Sequence, residues 1–148
     1  MSSINKELSV LTKMQLLHVK AAESHFGCLL CSKSNPMSMH LDFYADQAGT
    51  VYAEFQTNSY LQGYKGILHG GVTCALLDSA MTHCLFNLKI EGLTGEMKIK
   101  FVKPIPINSK VILKAMLEKQ YDPLYIIKAD LYSEEILYAS ASAKFIRK

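Results

Sequence analysis

No apolar stretch in the 148 residues approaches the run of about twenty that a membrane span needs. The opening Met1-Ser-Ser-Ile-Asn-Lys-Glu lacks the charged-then-apolar order of a secretory signal, because polar side chains keep interrupting it. Both absences point to the cytoplasm. A strong excess of one charge is missing as well: 16 basic residues face 13 acidic ones, for a net charge of +3. That is too small and too dispersed for nucleic acid, which demands a concentrated basic face, but it is compatible with a phosphate-bearing small molecule. Cysteine is sparse, with four residues, and in a cytoplasmic chain these are expected as reduced thiols rather than a disulfide framework. Internal repeats and low-complexity tracts are absent. What is present, 49% apolar and 20% charged residues, is an ordinary globular composition at a length that suits one domain with a real core.

Residues 4–23 read as an amphipathic helix, with Ile4, Leu8, Leu11, Leu16 and Val19 among its apolar positions. Residues 1–26 are thus expected as a helical N-terminal segment ahead of one domain over 27–148. That helix is single, with no partner for a helix-turn-helix. From Met39 the pattern alternates, Leu41, Phe43 and Ala45 against His40, Asp42 and Tyr44, and a second alternating run covers 51–55. The turn at Asp46-Gln-Ala-Gly49 joins the two as a hairpin. Residues 58–69 form a loop with glycines at 63 and 66. Then the period becomes helical, and Val72 to Leu88 is apolar on nearly every side, the mark of a buried helix. After Gly92, Met97, Ile99 and Phe101 alternate with Lys98 and Lys100, and Pro104 and Pro106 close the run. Three further strands are expected over 110–119, 125–132 and 136–146. One long central helix wrapped by a curved antiparallel sheet of about six strands buries both, which makes the fold α+β.

The chemistry concentrates in Leu61-Gln-Gly-Tyr-Lys-Gly-Ile-Leu-His69-Gly70-Gly71 and in Asp78. Two glycines at the mouth of a buried helix let backbone approach a ligand closely. The first N–H groups of that helix lack internal partners and suit a developing oxyanion. A carboxylate midway along an apolar helix loses its hydration unless it meets partners or water. On helix chemistry alone, a structural aspartate at a loop or wet interface and a catalytic one stand about even. Gly70 and Asp78 are eight residues apart, roughly 12 Å along one helix. A short side chain cannot close that gap, so if both serve one carbonyl, the site is shared by two antiparallel copies of the helix in a dimer.

His-Gly-Gly followed by six residues and an aspartate, preceded by Gln-Gly-Tyr-Lys-Gly, resembles the signature of hotdog-fold thioesterases of the phenylacetate-pathway (PaaI-like) type. Cys28-x-x-Cys31-x-x-x-Asn35-Pro36 is similar to a stretch found ahead of the hotdog in one branch of that superfamily. Lys98-Ile-Lys-Phe-Val-Lys-Pro104 resembles the strand after the helix. The resemblance spans about residues 27–146. It implies an acyl-CoA thioesterase in which the Gly70 N–H polarises the thioester carbonyl and Asp78, from the other subunit, acts as general base or nucleophile. It further implies that Thr94 assists the acid or its water, that His69, Gly71, Gln62 and Gly63 line the substrate side, and that the assembly is a homodimer at minimum, with a dimer of dimers expected. Relatives often carry an asparagine six residues before the histidine; here Gly63 stands there, and Gln62 is the alternative amide. Strand alternation puts Thr94 on the parity of Lys98 and Lys100, so it reaches the site only if Gly95 bends the strand or the site lies at the sheet edge.

The other polar residues carry blander readings. His69 is expected to fix its loop by bonding backbone, and His83, on another helix face, to be packed. Lys65, Lys98, Lys100 and Lys103 are expected as solvated lysines before phosphate ligands. Cys28-x-x-Cys31 lacks a second ligand pair of comparable spacing, so no metal site is expected, and the chemistry needs no cofactor. Two rivals to acyl-CoA hydrolysis are dehydration or hydration of a 3-hydroxyacyl thioester and non-catalytic acyl-CoA binding or sensing. Against the first, His69 abuts the Gly-Gly entrance rather than a Pro-Gly loop. Against the second, a pure binding pocket gains little from a buried acid.

Overall fold

The computed structural model describes residues 16–148. The helix expected over 4–23 lies largely outside those residues, and the part that falls within them is not α-helical. Leu17–His18 is a short strand, β1, paired antiparallel with β2, Tyr44–Ala45. Glu23–His25 is a single 3-10 turn. The Val19 N–H donates to the Phe43 carbonyl at 2.8 Å, so the segment satisfies its backbone on a sheet edge instead of on itself. Val19 is buried in the core, as the helical period also required, which is why the pattern did not separate the two forms.

The expected hairpin is present. β2 runs into β3, Val51–Gln56, through a turn in which the Asp46 carboxylate accepts the Thr50 N–H and Gly49 adopts φ 86°. The central helix, α1, spans Gly70–Asn87. Four long strands follow: β4 Gly92–Phe101, β5 Lys110–Tyr121, β6 Leu124–Ser133 and β7 Ile136–Arg147. The sheet is antiparallel, with seven strands in the order β1-β2-β3-β5-β6-β7-β4, one more than the expected six because residues 17–18 join it.

Helix α1 packs against β3, β4, β5, β6 and β7, and the core lies between them. Leu76, Leu77, Ala80, Met81 and Leu85 meet the inward rows of the sheet, among them Leu113, Tyr125, Ile127, Leu131 and Phe145, all essentially solvent-free. Gly92 lies where β4 crosses the helix, and a Cβ there would sit 2.6 Å from Leu85 Cδ1, so a larger residue would have to displace that leucine side chain. Strand β4 ends the sheet. It bonds β7 on one side, and its other edge has no strand partner among the described residues.

Candidate active site

His69 is the N-cap of α1, in extended backbone at φ −61° and ψ 133°. Its Nδ1 accepts the Gly71 N–H at 2.8 Å, while its carbonyl accepts from Val72 at 3.0 Å and Thr73 at 3.1 Å. The Thr73 bond is the first i→i−4 bond of the helix, and with the His69 N–H on the Leu61 carbonyl at 2.9 Å, three of the four orphan donors that open any α-helix, those of His69, Gly71 and Val72, have acceptors. The Gly70 N–H alone has no acceptor among the described residues. Glycines shape this entrance. A Cβ on Gly71 would lie 3.1 Å from His69 Nδ1, and one on Gly63 would lie 3.3 Å from His69 Cδ2. The histidine ring is therefore seated closely between two glycines, and a Cβ at either would press on it. Gln62 closes its own loop, with Oε1 accepting the Gly66 N–H at 3.0 Å. A cleft of about 440 Å³ opens here, lined by Gly63, Tyr64, Ile67, Leu68, His69 and Gly70. The Phe101 ring stands beside the helix entrance, 3.6 Å from where a Gly70 Cβ would be. Nothing in the alternating pattern of β4 marked that ring as a neighbour of the helix entrance.

Asp78 lies two turns further along the same helix and is half-buried. Its Oδ1 accepts a hydrogen bond from Thr94 Oγ1 at 2.6 Å. The contact exists because the β4–β7 register shifts between Thr94 and Glu96, with Gly95 as the extra residue of a β-bulge. Beyond the bulge Glu96, Lys98 and Lys100 pair with Lys144, Ser142 and Ser140 on the outer face. Before it, Thr94 pairs with Phe145, which is fully buried and points at the helix. The glycine thus supplies the bend on which Thr94 depended.

The helix is not uniformly covered. Gly71, Cys74, Ala75 and Asp78, three or four residues apart, form a stripe left partly open on α1, with half-buried Val72 beside it, whereas residues 79–86 are buried throughout. Across that stripe Gly70 and Asp78 remain separated by two helical turns, as the spacing required.

The remaining polar candidates fall outside this arrangement. His83 is buried, stacked on Phe43 with ring centroids 4.2 Å apart, and its Nδ1 lies 2.8 Å from the Ser79 carbonyl. Burial lowers its pKa to about 4, so at neutral pH it is an uncharged core residue. Burial raises the thiols of Cys74 and Cys84, the latter to about 11, which rules both out as thiolate nucleophiles at neutral pH. Lys98 and Lys100 line a separate depression on the outer face with Lys114, Lys128 and Asp130, away from the helix entrance. Lys65 and Lys103 are exposed.

A family model described as the thioesterase superfamily matches residues 65–139, just over half of the chain. This chain belongs to the thioesterase superfamily. The matched segment begins in the loop ahead of α1 and contains His69, Gly70, Gly71, Asp78 and Thr94. Among curated thioesterases, acyl-coenzyme A thioesterase THEM4 of Bos taurus is 32% identical over 95 residues, covering 63% of this chain and 39% of that one. The chain spans less than half the length of the curated relatives it matches. Two solved structures share the fold. A hypothetical thioesterase with coenzyme A from Streptococcus pneumoniae aligns at TM-score 0.66 and 19% identity, over 70% of this chain and 83% of that one. The PaaI protein of E. coli aligns at TM-score 0.69 and 14% identity, over 74% and 80%. The hotdog architecture and the thioesterase-superfamily resemblance read from the sequence are both confirmed, and the PaaI protein shares the fold. Among the described residues, no helix of this thioesterase-superfamily chain is long and apolar enough to cross a membrane.

Proposed function

We propose that this chain hydrolyses acyl-coenzyme A to the free acid and coenzyme A, in sites shared between two copies. The observation that carries the reading is the Asp78 carboxylate, held by Thr94 at 2.6 Å on a helix whose Gly70 N–H, at the first turn, has no acceptor among the described residues. The thioester carbonyl oxygen sits at the Gly70 N–H, where the helix N-terminus stabilises the charge that develops on it. Asp78 of the partner subunit faces the carbonyl carbon. Thr94 occupies Oδ1 of that carboxylate, which leaves Oδ2 to take a proton from water as the water attacks. A direct attack by Oδ2, forming an anhydride that water then opens, uses the same geometry. The tetrahedral intermediate collapses by expelling the coenzyme A thiolate, which takes up a proton. His69 and Gly71 hold the donor in place, and Gly63 and Gln62 form the loop beneath the acyl group.

The dimer has its own support. Ten residues of β4 present an edge with no strand partner among the described residues, a surface that natural sheets seldom leave open. The small-residue stripe along α1 permits close approach of a second helix, and Phe101 and Val102 lie exposed at the end of the same strand. Leu93 and Ile146, paired across β4 and β7 and exposed, offer apolar area for a dimer of dimers. The four free thiols suit a reducing compartment such as the cytoplasm. A dehydratase would need His69 for proton transfer, yet Nδ1 is already committed to the Gly71 N–H.

The test is thiol release from short, medium, long-chain and aryl acyl-CoAs by wild type and by Asp78→Asn. Turnover should fall about a hundredfold or more in the variant, since its amide is neither base nor nucleophile. An Asp78→Asn enzyme as fast as wild type would refute the assignment. Wild type that binds acyl-CoA but releases no thiol would favour a sensor.

A further inference from the structure

Away from the helix entrance, the turn-rich stretch ahead of β2 brings three metal-binding side chains together. We propose that His25, Cys28 and Cys31 form a zinc site, separate from the thioesterase chemistry and independent of it. The ligand atoms of these residues all lie within 4.8 Å of one another, and each residue is half-buried. Cys31 Sγ stands 3.6 Å from His25 Nδ1. Zinc bonds of about 2.3 Å to sulfur and 2.0–2.1 Å to nitrogen, at tetrahedral angles, place those two atoms about 3.6 Å apart.

Two further features are those of a prepared site. The Leu30 N–H donates to Cys28 Sγ at 3.2 Å, the kind of outer contact that orients a ligating thiolate and tempers its charge. The loop between the ligands is braced from outside. Ser32 Oγ donates to the Phe26 carbonyl at 2.6 Å, and Asn35 Nδ2 donates to the Gly27 carbonyl at 3.1 Å. His25 is held by an edge-on contact with Phe86 of α1, ring centroids 4.9 Å apart. A metal here would therefore tie the segment ahead of β2 to the end of the central helix.

The donor set selects the ion. Two thiolates and an imidazole suit zinc and exclude the hard cations, which take oxygen. Binding releases the two thiol protons to solvent and involves no redox step. Three protein ligands leave the fourth tetrahedral position to water, from a cleft of about 430 Å³ that Cys31 and His25 line with Lys20, Glu23 and Lys33. The pattern His25-x-x-Cys28-x-x-Cys31 is evenly spaced in the chain. A search for a second cysteine pair passes over it, because the third ligand is a histidine that precedes the first.

The test uses the untagged full chain, kept reduced with a phosphine and free of chelator. Zinc is titrated against a chromophoric competitor, and Co²⁺ is added to a second sample. One zinc per chain is expected. Thiolate-to-cobalt charge-transfer bands with intense tetrahedral d–d bands are expected in the wild-type spectrum, which reads the ligand set without any variant. Cys28→Ser, Cys31→Ser and His25→Ala should each weaken zinc binding by about a hundredfold or more, beyond the loss seen for outer-sphere changes. Failure of the reduced wild type to take up zinc would overturn the proposal. So would uptake that survives the double cysteine variant, or a six-coordinate cobalt spectrum without thiolate bands. A Cys28–Cys31 disulfide that forms in preference to metal uptake would do the same.

Discussion

At the scale of single residues, His83 shows how burial decides what a titratable group can do. Its ring lies between Phe43 and Phe86, at centroid distances of 4.2 and 5.1 Å, and desolvation is the chief cause of its pKa near 4. The nearby charges of His25 and His18 lower it further, while the Ser79 carbonyl and Asp42 act in the opposite sense. In the unfolded chain the ring titrates near 6.5. Between pH 6.5 and about 4 the unfolded state therefore binds a proton that the folded state does not, and folding stability rises with pH there. The contribution is full above pH 6.5 and is lost as pH falls toward 4, at a limiting slope of about 1.4 kcal/mol per pH unit. Urea unfolding at pH 7.5 and pH 5 should show a larger loss for wild type than for His83→Phe, which keeps an aromatic ring but cannot titrate. Equal losses would mean that the ring is already accessible to protons in the native state.

At the scale of elements, the start of α1 separates capping from catalysis. His69 closes the helix through Nδ1, a task Ser or Asn also performs, by accepting an N–H from the first turn. His69→Ala should cost about 1 kcal/mol of stability, and His69→Ser should recover most of it. Acyl-CoA turnover by His69→Ser should stay within a few-fold of wild type; a hundredfold fall with stability restored would make His69 an acid–base group after all. Helix α1 and its Gly-Gly entrance were legible in the sequence because an all-round apolar period and a pair of glycines directly ahead of it are local signals. So were β5, β6 and β7, whose alternation is long. The strand at Leu17–His18 was not legible, because the residue that decided it, Phe43, lies far along the chain and offers only a carbonyl. Thr94 falls between these cases. Alternation pointed it outward and Gly95 marked where the rule could fail, but only the paired strand, with Phe145 opposite Thr94, reveals that it did.

At the scale of the whole molecule, the separation of Gly70 from Asp78 turns a claim about assembly into one about rate. The two positions sit eight residues apart on one straight helix, so a site that uses both must draw them from different copies. Each can be disabled alone. Asp78→Asn removes the carboxylate chemistry. Gly70→Pro removes the N–H at the first helical position, where proline fits, and His69 already has the extended ψ of 133° that a residue before proline prefers. A Cβ at position 70 meets the Phe101 ring only at ordinary contact distance. Loss of one oxyanion donor should lower turnover by about a hundredfold to a thousandfold, so each variant alone should be nearly inactive. In a mixed dimer the two lesions fall into one site and leave the other intact. Co-expression in equal amounts with random pairing should therefore restore about a quarter of wild-type activity per chain. If Gly70 and Asp78 acted within one chain, or if either were irrelevant to the reaction, no such recovery would appear. Sedimentation of the mixture confirms that dimers have formed, so a failure of complementation is distinguishable from a failure to assemble.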